Sequence, residues 1–168
     1  MQLQSFRSLS SLLLTFLLFG CSDGSDSNRN ASTFDDCNLP ARDIVINATE
    51  SGIEFVRSPD ACFEELEGYD FAPNYVNVDG LRMHYVEAGP ADAEVILMLH
   101  GQPSWSYLYR KMIPVLADAG YRVIAVDHIG MGRSDKPVDP RVHVYDQQVL
   151  WNKAFIDALG LTDITLFV

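Results

Sequence analysis

Two continuous apolar runs, Val95-Ile96-Leu97-Met98-Leu99 and Tyr121-Arg122-Val123-Ile124-Ala125-Val126, frame a stretch whose apolar residues recur at helical spacing. Runs of this kind, bounded by polar residues and glycine, are strands covered on both faces, as in parallel sheets. The intervening Ser104 to Ala119 carries Trp105, Leu108, Met112, Val115 and Leu116 on one helical stripe and stops at Gly120. The pattern predicts a parallel strand, helix, strand unit. A loop with glycine and proline, Asp127 to Pro140, then leads to a second helix from about Asp146 to Ala158, ended by Gly160, and Ile164 to Val168 begins a third such run. Upstream, Tyr75 to Val78 and Leu81 to Val86 are β-rich and are separated by Asp79-Gly80, a strong hairpin turn pair. An antiparallel hairpin leading into alternating helices and parallel strands defines an α/β domain with both sheet faces covered.

The residues ahead of this pattern read differently. Residues 22–72 hold 12 acidic and 3 basic side chains, against 11 and 8 in residues 73–168. Ser22 to Ser32 has almost no apolar residues and cannot bury enough surface to offset the entropy of ordering, so it reads as a tether. Asp43 to Phe55 mixes apolar and polar residues around Gly52, and Pro59 to Phe63 reads as a turn into a short irregular or helical piece. The formal charge of the chain is -11, which repels phosphate backbones and argues against a nucleic-acid partner. The expected organisation is a targeting segment over 1–21, a polar tether and irregular segment over 22–56, and a partial α/β domain over 57–168.

At the N-terminus, Arg7 precedes an apolar stretch, Leu9 to Phe19, that is short for a permanent membrane span. Leu18-Phe19-Gly20-Cys21 resembles the bacterial lipobox, in which the cysteine thiol is acylated, although Phe19 stands where a small residue is usual. The resemblance implies a lipoprotein anchored through Cys21 to a membrane of the cell envelope, with Ser22 suggesting outer-membrane sorting. The alternative is an ordinary secretory signal cut near Gly20. With Cys21 acylated, Cys37 and Cys62 remain as an even pair in an oxidising compartment. A disulfide between them would close a loop of roughly 25 residues and stabilise the fold by about 3 kcal/mol; two unpaired thiols are the other reading.

In parallel α/β sheets, ligands gather at the carboxyl ends of the strands. Two loops stand there. The first is His100-Gly101-Gln102-Pro103-Ser104-Trp105, where Gly101 permits a sharp backbone path, Pro103 fixes the next turn and a backbone N–H can face a developing oxyanion. The second follows Asp127 and contains Gly130-Met131-Gly132-Arg133-Ser134. Its glycines do not make a phosphate cradle, since Lys136 is followed by Pro137 and not by serine or threonine.

The block HGQPSWSYLYRKMIPVLADAGYRVIAVDHIGMGRSDKP, residues 100–137, is similar to the haloalkane dehalogenases within the α/β-hydrolase superfamily. The similarity extends upstream through Phe71 to Val76 and Leu81 to Glu87 and downstream to Ile164-Thr165-Leu166, covering roughly residues 57–168. It implies the N-terminal half of an α/β-hydrolase fold, ending before the nucleophile elbow. It also implies hydrolytic cleavage of carbon–halogen bonds in a small haloalkane through an aspartyl alkyl-ester, with no metal or organic cofactor. Gln102 matches the position whose backbone N–H helps form the oxyanion hole and whose side chain lines the halide site, where the family often has Asn or Glu.

The nucleophile, its acidic partner and the catalytic His are expected beyond Val168, so that these residues alone turn over no substrate. His100, Gly101, Pro103 and Asp127 are expected as structural turn residues, Asp127 ordering the Gly130-Met131-Gly132 loop through side-chain to backbone hydrogen bonds. A catalytic Asp127–His128 dyad is the competing reading. Trp105 and Tyr107 either line the substrate pocket or belong to the core. Two other functions remain open: an epoxide hydrolase or esterase on the same scaffold, and a non-catalytic truncated lipoprotein.

Overall fold

The computed structural model of the protein describes Cys37 and residues 43–168. These described residues form one unit by their contacts. Its centre is a five-stranded mixed sheet. Strands β3 (Asn74–Val78) and β4 (Leu81–Ala88) form the hairpin, and β4 pairs antiparallel with β6 (Arg122–Val126). Parallel pairing then joins β6 to β5 (Val95–Leu99) and β5 to β8 (Thr165–Phe167). Asp79 and Gly80 both have positive φ, 56° and 84°, as a tight two-residue hairpin turn requires.

Strand alternation sends side chains to two cores. Leu81, Met83, Tyr85, Leu97 and Ile124 face one side and pack on helix α2 (Tyr145–Ala158) through its Trp151 and Phe155. Those two rings lie one turn apart and are fully buried, so truncating either costs about 3–5 kcal/mol. Val86, Met98, Val123 and Ala125 face the other side and pack with Tyr69, Tyr109 and Ile113, the last from helix α1 (Met112–Asp118).

Three features depart from the sequence pattern. The first helix was expected from Ser104, but Ser106–Tyr109 forms a 3-10 turn and α1 begins only at Met112. Pro114 sets that start: it has no N–H to donate back along the chain and its ring crowds the carbonyl four residues earlier, so it fits only the first helical turn.

The second departure lies within the stretch read as tether and irregular segment, 22–56. Here β1 (Ile46–Ala48) and β2 (Glu54–Val56) form an antiparallel ribbon, completed by β7 (Lys136–Pro137) into a separate three-stranded sheet. Asp135, fully buried, ties this ribbon to the main sheet by accepting from Arg57 Nε and Nη2 at 2.7 and 2.8 Å and from the Arg82 N–H at 2.7 Å. Third, β8 was expected with both faces covered, but all three of its residues are exposed. Among the described residues it pairs with β5 alone. The 60–63 segment is a 3-10 turn (Asp60–Phe63).

Candidate active site

The loops after β5 and β6 emerge side by side at the carboxyl ends of the parallel strands. They border an open cleft of about 770 Å3, walled by Leu99, His100, Gly101, Gln102, His128 and Met131, by the α2 face with Gln148, Val149 and Asn152, and by Leu166 and Val168 of the β8 edge.

His100 closes the gap between the two loops. Its buried ring accepts the His128 backbone N–H at Nε2, 3.0 Å away, which fixes the proton on Nδ1, and Nδ1 donates to the Gly101 carbonyl at 3.0 Å. Burial pushes the His100 pKa down. A neutral imidazole with both nitrogens committed is a loop brace and has no free position for proton transfer. The His128 ring lies 4.4 Å from that of His100 and donates from Nδ1 to Asn152 Oδ1 on α2 at 3.1 Å. Burial, and then the neighbouring His100, hold its pKa down as well.

Gln102 stands exposed at the cleft mouth, and among the described residues neither its backbone nor its amide makes a hydrogen bond. Its N–H is therefore available to a ligand. The peptide between Gln102 and Pro103 is cis. Gly101 has a φ outside the left-handed region, and a Cβ there would meet nothing within 4 Å. Gly101 opens the turn that the Ser104 N–H closes on its carbonyl at 2.9 Å, and among the described residues neither its φ nor its neighbours require glycine there.

Asp127 does not pair with His128. Its fully buried carboxylate accepts from His84 Nδ1 on β4 at 2.8 Å, from the Ser106 N–H at 2.8 Å and from the Arg133 N–H at 2.8 Å. Ser134 Oγ donates to the Asp127 carbonyl at 2.6 Å and accepts the His84 N–H at 2.8 Å. Burial pushes the Asp127 pKa up, but the hydrogen bond and charge of His84, with the Ser106 and Arg133 donors, outweigh it and leave the carboxyl below its ordinary range. One oxygen thus holds the start of the turn after the Gln102 loop, and the other holds the glycine loop. Gly132 makes this closeness feasible: its φ is +51°, and a Cβ would lie 2.2 Å from Asp127 Oδ2.

Trp105 does not line the cleft. It packs beside the second core, with Phe63 at 5.4 Å, Tyr69 at 5.2 Å and a stacked Tyr107 at 5.4 Å between ring centroids. Among the described residues it therefore stands with the core side of the two readings, as a wall behind the Gln102 loop. Cys37 and Cys62 are joined in a disulfide with a Cα–Cα distance of 5.4 Å. Cys21 lies outside the described residues.

His84, Ser106 and Phe63 were missed in the sequence reading. For His84 a signal existed: it interrupts an apolar strand on the face that Val86 continues into the core, so a buried polar partner had to be found for it. For Phe63 no local signal existed.

Strand order, the hairpin entry and the two loops at the strand ends define an α/β-hydrolase fold, and a family model described as the alpha/beta hydrolase fold matches residues 94–168. The described residues adopt the N-terminal part of that fold. In sequence the chain is similar to haloalkane dehalogenases. It is 52% identical over 121 residues to a haloalkane dehalogenase of Mycobacterium marinum, covering 69% of this chain and 41% of that protein. It is 49% identical over 120 residues to one of Psychrobacter cryohalolentis, covering 68% and 40%.

Among solved structures, the haloalkane dehalogenase of Paraglaciecola agarilytica superposes with a TM-score of 0.64 at 43% identity, over 67% of this chain and 39% of that one. An epoxide hydrolase of Vigna radiata superposes at 0.55 with 32% identity, over 60% and 32%. The chain therefore spans about two fifths of the length of the curated relatives it matches.

Proposed function

We propose that residues 57–168 are the N-terminal half of a haloalkane dehalogenase-type hydrolase and that Gln102 is their contribution to its chemistry. The observation that carries this reading is the unpartnered Gln102 N–H at the mouth of an apolar cleft, at the end of the buried strand β5. In hydrolytic dehalogenation an aspartate oxygen bonds to the substrate carbon while the carbon–halogen bond breaks and halide leaves with its electron pair. Water then attacks the ester carbonyl, and a backbone N–H aimed at the resulting oxyanion lowers that barrier. Gln102 supplies that donor, and its side-chain amide reaches toward the departing halide.

His100 and Asp127 act on neither substrate atom; they hold the two loops in register. The remaining catalytic groups are assigned to sequence beyond Val168, so the present residues by themselves are expected to release no halide.

A pair of chimeras tests this reading. In one, residues 57–168 replace the matching part of a haloalkane dehalogenase; in the other, they replace the matching part of an epoxide hydrolase, the second reading favoured by the structural neighbours. Bromide release from a bromoalkane by the first, with no epoxide opening by the second, supports dehalogenation; a folded but inert first chimera with an active second one overturns it.

The lipobox resemblance at Leu18 to Cys21 supports an envelope location with a lipid anchor on Cys21. Palmitate labelling that is lost in Cys21→Ala is the expected result, and membrane partition unchanged by that substitution argues against the anchor.

A further inference from the structure

The segment between β2 and β3 is bound to the domain in an unusual way. Among the described residues, the backbone–backbone hydrogen bonds of residues 59–69 close only on neighbours three positions away: Cys62 N–H to the Pro59 carbonyl, Glu64 to Ala61 and Tyr69 to Leu66. No sheet ladder holds the 3-10 turn Asp60–Phe63 in place. It is held instead by side chains and by one covalent bond. Asp60 accepts from Tyr75 Oη at 2.8 Å and from the Arg82 guanidinium. The Phe63 carbonyl accepts from Arg133 Nη2 at 2.8 Å, and the Arg133 guanidinium lies over the Phe63 ring at 5.1 Å. Cys62, in the middle of the turn, is bonded to Cys37.

What the turn touches gives it consequence. The Phe63 ring packs edge-on against Trp105, which is only three residues from Gln102. Arg133, which grips the Phe63 carbonyl, also donates its own backbone N–H to Asp127 and so belongs to the second loop of the cleft. One turn therefore shoulders both loops from behind. A segment with no ladder bonds to its surroundings lies at the low-stability end of a fold, and its order rests on these side-chain contacts and the crosslink together.

We propose that the Cys37–Cys62 disulfide is a redox-addressable clasp whose opening releases the Asp60–Phe63 turn from Trp105 and Arg133 and loosens the two cleft loops while the sheet stays folded. A dithiol supplies the two electrons: its thiolate attacks one sulfur, the Cys37–Cys62 bond breaks, the dithiol closes to its own disulfide, and both protein sulfurs end as thiols. Both cysteines are only half-buried, so a small reductant can reach them. The clasp stands independently of the substrate assignment, since it concerns the backing of the loops and not what they bind.

The two tryptophans make the test internal. Trp105 touches the turn, whereas Trp151 is sealed in the core on the opposite face of the sheet. Indole N–H resonances of the 15N-labelled full chain are recorded before and after dithiothreitol, with Trp105→Phe assigning the peak. The expected result is a displaced Trp105 resonance, an unmoved Trp151 resonance and lost amide protection across residues 59–69, all reversed on reoxidation. The Cys37→Ser/Cys62→Ser double variant is expected to show the reduced spectrum and no response to dithiothreitol. A Trp105 resonance that ignores reduction overturns the proposal. So does a Trp151 resonance that moves equally, or a double variant that fails to fold, because the disulfide then supports the whole domain and not a local clasp.

Discussion

His84 on β4 donates from Nδ1 to Asp127 Oδ2 at 2.8 Å with both side chains sealed from solvent, one step beyond the Tyr85–Val126 pair of the antiparallel β4–β6 ladder. The bond joins the sheet itself to the loops that rim the cleft, because the same carboxylate holds the Ser106 and Arg133 N–H groups. Removing Asp127 leaves three donors buried with nothing to accept them. Asp127→Ala is therefore expected to cost about 3–5 kcal/mol in urea unfolding. His84→Ala leaves the two backbone donors on Asp127 and costs less, about 1–3 kcal/mol. The double variant should show coupling between the sites of about 0.5–3 kcal/mol; strictly additive losses would mean that the bond contributes nothing specific.

Gly132 and Gly101 sit in neighbouring loops but bear different demands. An alanine at Gly132 meets Asp127 Oδ2 at 2.2 Å in a backbone with φ of +51°. The left-handed conformation alone costs about 1–3 kcal/mol for a residue with a Cβ, and displacing the buried carboxylate adds to it. Gly101→Ala meets open space and is expected to change stability by no more than about 0.5 kcal/mol. Thermal unfolding of the two variants separates them; equal midpoints would show that the Asp127 contact yields without cost.

Gln102 is exposed and unpartnered, so its substitution tests chemistry apart from folding. In the dehalogenase chimera, Gln102→Ala keeps the backbone N–H but loses the amide donor toward halide. A hydrogen bond to a charged group contributes about 1.5–3 kcal/mol, so kcat/KM is expected to fall by about 10- to 150-fold with the unfolding midpoint unchanged. Gln102→Asn retains an amide and should restore part of the rate. An alanine variant with full activity removes the side chain from the halide site.

How much of this was legible in the sequence depends on the range of each contact. The hairpin at Asp79-Gly80, β5, β6 and α2 carry local signals, turn chemistry or an apolar period, and each stands within a residue or two of where those signals put it. The ribbon β1-β2-β7 carries none: its strands are two or three residues long, β1 is wholly exposed, and Phe55 finds its partner at Pro137. The same holds within the site. Gln102 and His100 belong to one contiguous motif, whose place at the end of β5 was readable from it. The true partner of Asp127 is 43 positions away on another strand, and only the sheet register brings His84 to it. Adjacency in sequence offered His128 only as a competing partner, and its ring is turned toward Asn152.

Acid sensitivity follows from the same buried groups, in two stages. His100 and His128 have pKa values held below the ordinary 6.5, by burial first in each case. The unfolded chain then binds more protons than the folded one as the pH drops below 6.5, so the stability these rings contribute is complete above that value and is lost on the way down to their folded values. Asp127 and Asp60 also sit below their ordinary 3.8, through His84 for the first and through Tyr75 and Arg82 for the second, in both cases against an opposing burial effect. Their contribution is present above 3.8 and disappears as the pH falls through their lower folded values. A plot of urea midpoint against pH should therefore descend once below about 6.5 and again below about 3.8. His128→Gln, which cannot titrate, is expected to shrink the first descent to the share of His100 and leave the second unchanged; a midpoint constant from pH 8 to pH 5 in the unsubstituted protein would mean that the two tilted imidazoles stay accessible to protons in the folded state.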